Sequence, residues 1–130
     1  MKVVARVVET YDSANKLRKK IVETYDSAEK LVKEIIKTYD PNEKLMEKMV
    51  KNYGLGKKLA IKSIETFEYN SDGNLTKETV ETSGYNSGEE ILEHIVEIYN
   101  SNGVMIEKVT ENFGYDCNGR LRERVGKTFK

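Results

Sequence analysis

The sequence predicts an all-β protein, an up-and-down antiparallel meander of about nine long strands. Three observations lead there. First, the eight tyrosines form one series: Tyr11, Tyr25, Tyr39, Tyr53, Tyr69, Tyr85, Tyr99 and Tyr115, at intervals of 14, 14, 14, 16, 16, 14 and 16, with Phe129 following after 14 more. Every interval is even, which suits a strand, whose side-chain period is 2. In a helix, 16 residues is about 4.4 turns and lands nearly opposite its start. Second, "NSDG", "NSNG" and "DCNG" place Gly73, Gly103 and Gly119 where a type I turn with a G1 bulge needs φ > 0. Third, pairing each tyrosine with the apolar residue six positions on sets Glu9 opposite Lys19, Glu23 opposite Lys33 and Lys37 opposite Glu47. Opposite charges across strands contribute about 0.2–1 kcal/mol each. The same register sets Glu97 against Glu107, a like-charge conflict.

The elements follow in order. The first strand is the valine-rich "KVVARVVETY", a composition that fits a pleated, half-buried surface. Each later unit starts at an apolar residue and runs toward the next aromatic one. The starts are Leu17, Leu31, Leu45, Leu59, Leu75, Ile91, Met105 and Leu121, so residues 1–130 read as one repeat domain without an internal boundary. The 16-residue units add one residue pair, as in Phe67-Glu68-Tyr69 and Phe113-Gly114-Tyr115. A second architecture competes for residues 13–53. "DSAEKLVKEIIKTY" offers Asp26 and Glu29 as a capping-box-like pair, and Pro41 suits a first helical position. The alternative is therefore α+β, with 13–53 helical. Glu29 and Glu43 stand where later units have glycine.

Composition points to a thin core. Exchanging tyrosine for glycine in the 38% hydrophobic set, to match the usual definition, gives about 39% apolar, against ~45–50% in ordinary domains. Charged residues reach 34%, above the usual ~25%. Twenty-two basic and 22 acidic residues balance, so no long-range field draws nucleic acid or an anionic membrane. No apolar run is long enough to insert in a membrane. The opening "MKVVARVVETYD" lacks the apolar region of a signal peptide.

Neither face reads as clean. One is expected to carry Leu31, Lys33, Ile35, Lys37 and Tyr39, the other Val32, Glu34, Ile36, Thr38 and Asp40. The poorer face usually has one central apolar residue: Val22, Ile36, Val50, Ile64, Val80 or Val96. That composition suits an open single-layer sheet, or a closed barrel with a partly polar interior. The two edges differ. Val3, Val4, Ala5, Val7 and Val8 make the first strand a poor free edge, the candidate for association with another copy of the chain or for closure onto the last strand. The last strand carries Arg122, Arg124, Lys127 and Lys130, which discourage pairing.

"YDCNGRL" (115–121), "YNSDGNL" (69–75) and "YNSNGV" (99–104) resemble YD repeats, the Rhs-type β-hairpin repeats. Tyr115, Asp116, Gly119 and Leu121 match that pattern in full; Tyr69, Gly73 and Leu75 match with Asn70 in place of aspartate. The N-terminal units lack the glycine, and the spacing is shorter and more regular than in typical members. The resemblance implies a repetitive β scaffold of a kind found in secreted or cell-surface proteins.

No catalytic, metal or cofactor constellation assembles from the sequence. His94 has Glu93 beside it, on the opposite face of a strand. Cys117, the one cysteine, sits at a turn and rules out an internal disulfide. Glu65, Glu81, Glu97 and Glu111 share a repeat column and read as a solvated face. Tyr25, Tyr39, Tyr53 and Tyr69 form a candidate aromatic surface for sugars or bases, although each tyrosine is better placed to pin its hairpin. The expected function is a non-enzymatic structural or interaction scaffold, self-associating through its sheet edges. A barrel binding a small ligand or sugar is the alternative.

Overall fold

The computed structural model describes residues 4–130; Val3 lies outside the described residues. Nine strands form one antiparallel sheet in chain order: β1 (Ala5–Tyr11), β2 (Leu17–Tyr25), β3 (Leu31–Tyr39), β4 (Leu45–Tyr53), β5 (Leu59–Tyr69), β6 (Leu75–Tyr85), β7 (Ile91–Asn100), β8 (Met105–Tyr115) and β9 (Leu121–Phe129). Residues 13–53 are hairpins, not helix. The sheet is open, with β1 and β9 as its edges, so the barrel closure does not occur. The 16-residue units are the 11-residue strands β5, β6 and β8.

The turns explain why residues 13–53 are hairpins. In each turn after an Asp or Asn, that residue's backbone N–H bonds the carbonyl four residues on, and its own carbonyl accepts from the residue three on. Its side chain adds a clamp. Asp26 Oδ1 accepts from the N–H groups of Ala28 at 2.8 Å and Lys30 at 3.0 Å. Asp12, Asp40, Asn70, Asn86, Asn100 and Asp116 do the same in their turns. The same side-chain oxygen that reads as a helix cap thus stabilises a hairpin turn. At Asp12 the backbone N–H of Lys16, then that of Ala14, holds the carboxyl below its ordinary value.

The residue three after each clamp has left-handed backbone. Gly73, Gly103 and Gly119 take φ of 82°, 75° and 78°, and Asn15, Glu29, Glu43 and Glu89 take 61°, 63°, 62° and 60°. The glutamates therefore occupy the glycine position without changing the turn. Only Gly54 stands in a clamp position without a side chain. Its turn carries a short 3-10 segment, Leu55–Lys57, with positive φ at both Gly56 and Lys57.

Next to every turn the ladder contains a β-bulge. Tyr11 pairs with Leu17, yet Thr10 pairs with Lys19, leaving Arg18 as the extra residue. The same step recurs in all eight hairpins. It corrects the expected register by one. Glu9 faces Lys20, Glu23 faces Glu34, Lys37 faces Lys48 and Thr38 takes the place opposite Glu47. The expected clash at Glu97 disappears, because Glu97 faces Lys108.

The bulge also redistributes the faces. Beyond the bulge, every strand pair matches an odd-numbered residue with an even-numbered one, so residues of one parity alternate faces from strand to strand. Face A carries the row Val7, Val22, Ile35, Val50, Ser63, Thr82, Ile95, Thr110. Face B carries Val8, Ile21, Ile36, Met49, Ile64, Glu81, Val96, Val109. The expected central set is therefore divided: Val22, Val50 and Val80 are on face A, and Ile36, Ile64 and Val96 on face B. Each face has an apolar belt at mid-strand, and among the described residues nothing lies over either one. Among the described residues no hydrophobic side chain is fully buried, and the single buried residue is Ser83.

The left-handed glutamates generate a prediction. A side chain in left-handed backbone costs about 1–2 kcal/mol, against which glycine loses more entropy on folding. Glu29→Gly and Glu43→Gly should each raise stability by about 0.5–1 kcal/mol, read as a higher urea midpoint at unchanged slope. Asp40→Ala should lower it by about 1–2 kcal/mol, since two backbone donors lose their acceptor.

Candidate functional site

The most concentrated polar constellation lies on face B, across β6 to β9. Successive partners bring Ser83, His94, Glu111 and Gly126 into one row. His94 Nδ1 is 3.2 Å from Glu111 Oε1, and His94 Nε2 is 3.1 Å from Glu81 Oε1 in the adjacent row. Arg124 Nε donates to Glu111 Oε2 at 2.7 Å, and a second guanidinium nitrogen contacts the same oxygen. The Arg124 guanidinium also lies 5.9 Å from the centre of the Phe113 ring. Arg124, then His94, holds the Glu111 carboxyl below its ordinary value.

His94 borders an open depression of about 210 Å³ lined by Lys62, Ile64, Glu81, Ser83 and Ile91. The imidazole ring separates its two carboxylates, one at each nitrogen. They do not converge on a common ligand position, and among the described residues no cluster of three or more His, Cys, Asp or Glu is placed to hold a metal ion. What the arrangement does is join four consecutive strands through side chains. Sequence reasoning missed it by looking to Glu93, whose backbone neighbour Gly84 places it on face A. The signal is the odd register, which alone brings Glu111 opposite His94.

The other candidates are separated. Glu65 and Glu97 lie on face A, both opposite Val80, whereas Glu81 and Glu111 lie on face B. On face A, burial pushes the Glu78 carboxyl up, and the charge of and hydrogen bond with Glu65 add to that. The tyrosines alternate between the sheet's two ends because successive turns do. Tyr39 and Tyr69 stand at one end, Tyr25 and Tyr53 at the other, so they form no single aromatic surface. Two are latches. The Tyr69 hydroxyl donates to the Leu45 carbonyl at 2.7 Å and that of Tyr115 to the Ile91 carbonyl at 2.6 Å. Lys44 bonds the Gly73 carbonyl and stands 5.1 Å from the Tyr69 ring centre. Burial raises the Tyr69 hydroxyl's pKa, with the Asp40 charge second. Gly73, Gly103 and Gly119 occupy left-handed turn positions, as expected. Cys117 is exposed in the last turn.

At the edge, Val4 and Val7 are 69% and 54% exposed and Val8 is half-buried. Tyr25 N–H donates to the Val4 carbonyl at 2.9 Å. By alternation, the backbone groups of Arg6, Val8 and Thr10 point toward β2, and those of Ala5, Val7 and Glu9 point outward.

No protein-family model and no curated protein matches this sequence. Among solved structures, the crystal structure of a protein of unknown function from Bacteroides fragilis is similar over 93% of this chain and 90% of that one, at 14% identity and a TM-score of 0.34.

Glu111 carries a pH prediction. Its folded-state pKa lies below the ordinary 4.5, so its pairing stabilises fully above that value and is lost as pH falls through the depressed one. Urea midpoints should therefore fall on acidification below about pH 4.5. Glu111→Gln should flatten that limb relative to the parent; an unchanged slope would show that the pairing contributes nothing to stability.

Proposed function

We propose that this protein is a non-enzymatic structural or interaction scaffold that associates with further copies of itself through β1. The observation that carries the reading is the free edge of β1. It presents outward backbone groups at Ala5, Val7 and Glu9 beside exposed Val4 and Val7, on a strand with few charges. Free, flat, apolar edges pair with other strands unless something blocks them. At the opposite edge, beside exposed Leu121, Val125 and Phe129, β9 and the residue after it carry Arg122, Arg124, Lys127 and Lys130, charges that discourage pairing. The lack of a closed interior also supports shape and display over enclosure of a small ligand.

Two copies of β1 related by a two-fold axis normal to the sheet pair antiparallel. Registers centred on Val7 or Val8 keep each face continuous and avoid setting Arg6 against Arg6 or Glu9 against Glu9. The experiment is sedimentation of the parent and of Val7→Pro. Proline at an outward position removes an edge donor while leaving the β1–β2 bonds intact. The parent should show mass rising with concentration, and Val7→Pro should lose the edge component with its strand circular dichroism unchanged. Equal behaviour of the two proteins would refute association through β1.

A further inference from the structure

We infer that face B is a second interface, distinct from the β1 edge, and that its occupant is another copy of this chain stacked face to face. Among the described residues the belt of face B has no layer over it. Ile21, Ile36, Met49 and Ile64 are consecutive partners across β2–β5 and are only half-buried. Beside them runs a row of ladder partners that alternates in blocks: Arg6, Glu23, Glu34, Lys51, Lys62.

That charge order is self-complementary about one axis. A two-fold parallel to the strands, between β3 and β4, lays β3 over the other copy's β4 and β2 over its β5. Ile36 then meets Met49, and Ile21 meets Ile64, so apolar groups cover apolar groups at the centre of the overlap, while at its margin Val8 comes over Glu81. In the flanking row Glu34 meets Lys51 and Glu23 meets Lys62, opposite charges at every step. Arg6 on β1 comes over Ser83 on β6, next to the Glu81 carboxylate. Face A fails the same operation. Its flanking row carries Lys20, Lys37 and Lys48 on β2–β4, and the axis would lay Lys37 on Lys48.

The overlap is large enough. Six strands at ~4.8 Å and about seven residues at ~3.3 Å cover roughly 29 by 23 Å, or about 1,300 Å² over both copies. Stable interfaces bury about 1,200–2,000 Å². Sheets packed in this way sit about 10 Å apart, the spacing of a two-layer sandwich. The missing core of the monomer becomes the filling between two monomers.

The test uses the whole chain carrying Val7→Pro, so edge pairing is off and the two interfaces fail separately. Cys117→Ser removes the native thiol, and a single new cysteine on either face prevents intramolecular bridging. With a short bis-maleimide, Met49→Cys on face B should give covalent dimers on a denaturing gel. Val50→Cys, one residue on and on face A, should not. Lys51→Glu should raise the dimer dissociation constant at least tenfold by sedimentation, with unchanged strand circular dichroism, and adding Glu34→Lys should restore it. Monomeric sedimentation up to high micromolar concentration, cross-linking at Val50→Cys in place of Met49→Cys, or failure of the charge swap to restore binding would each overturn the inference.

Discussion

The side-chain clamp, present at seven of the eight turns, is the interaction on which most of the sheet depends. An aspartate or asparagine oxygen takes the backbone N–H groups two and four residues on, and so fixes five residues with one side chain. That geometry places the third residue after the clamp in left-handed backbone and holds Glu29 and Glu43 there against their own preference. The bulge follows directly beyond the turn, and the bulge makes the register odd. Everything on the two faces descends from that one-residue step, including the row that joins Glu34 to Lys51 and His94 to Glu111. The Tyr69 and Tyr115 latches tie neighbouring hairpins to each other.

A sheet without a second layer draws little from burial. Its stabilisation comes from ladder bonds, cross-strand pairs and long side chains lying over the belt. Each strand touches only its neighbours in the chain, so the molecule behaves as a one-dimensional array. In such an array the inner repeats are covered at both edges and the terminal ones are not. β9 meets that condition with charge: Arg124 reaches back to Glu111 and Phe113 while the rest of the strand stays wet. β1 meets it with valine, which leaves the outward groups of Ala5 and Val7 open.

The architecture was legible because the Tyr and Leu series carry the period, and its 16-residue intervals exclude a continuous helix. The turn positions of Gly73, Gly103 and Gly119 were legible for the same reason, since only backbone freedom explains glycine there. The register was not. The extra residue of each bulge is Arg18, Val32, Met46 or another of no common type, because the bulge is a backbone event with no side-chain requirement. A count made without it is wrong by one, and one residue moves every side chain to the other face. This is why the Glu65–Glu111 column proved to be two pairs on opposite faces, and why His94 showed no partner. Glu29 and Glu43 misled for a related reason: a clamp strong enough to enforce left-handed backbone removes the need for glycine, and with it the signal.

The two proposed contacts constrain each other. Stacking about an axis between β3 and β4 overlaps six strands and leaves β7–β9 of the second copy projecting past the β1 edge. Two copies joined through β1 would each call for such a partner on the same face. Counted in strand positions from the shared edge, those partners would claim the same six places. One copy can lie across the junction, and two cannot. Full use of both contacts by every molecule is therefore excluded on geometry alone, so edge pairing and face stacking compete. The competition limits how many copies one assembly holds, since the β1 pair is itself closed by its two-fold axis.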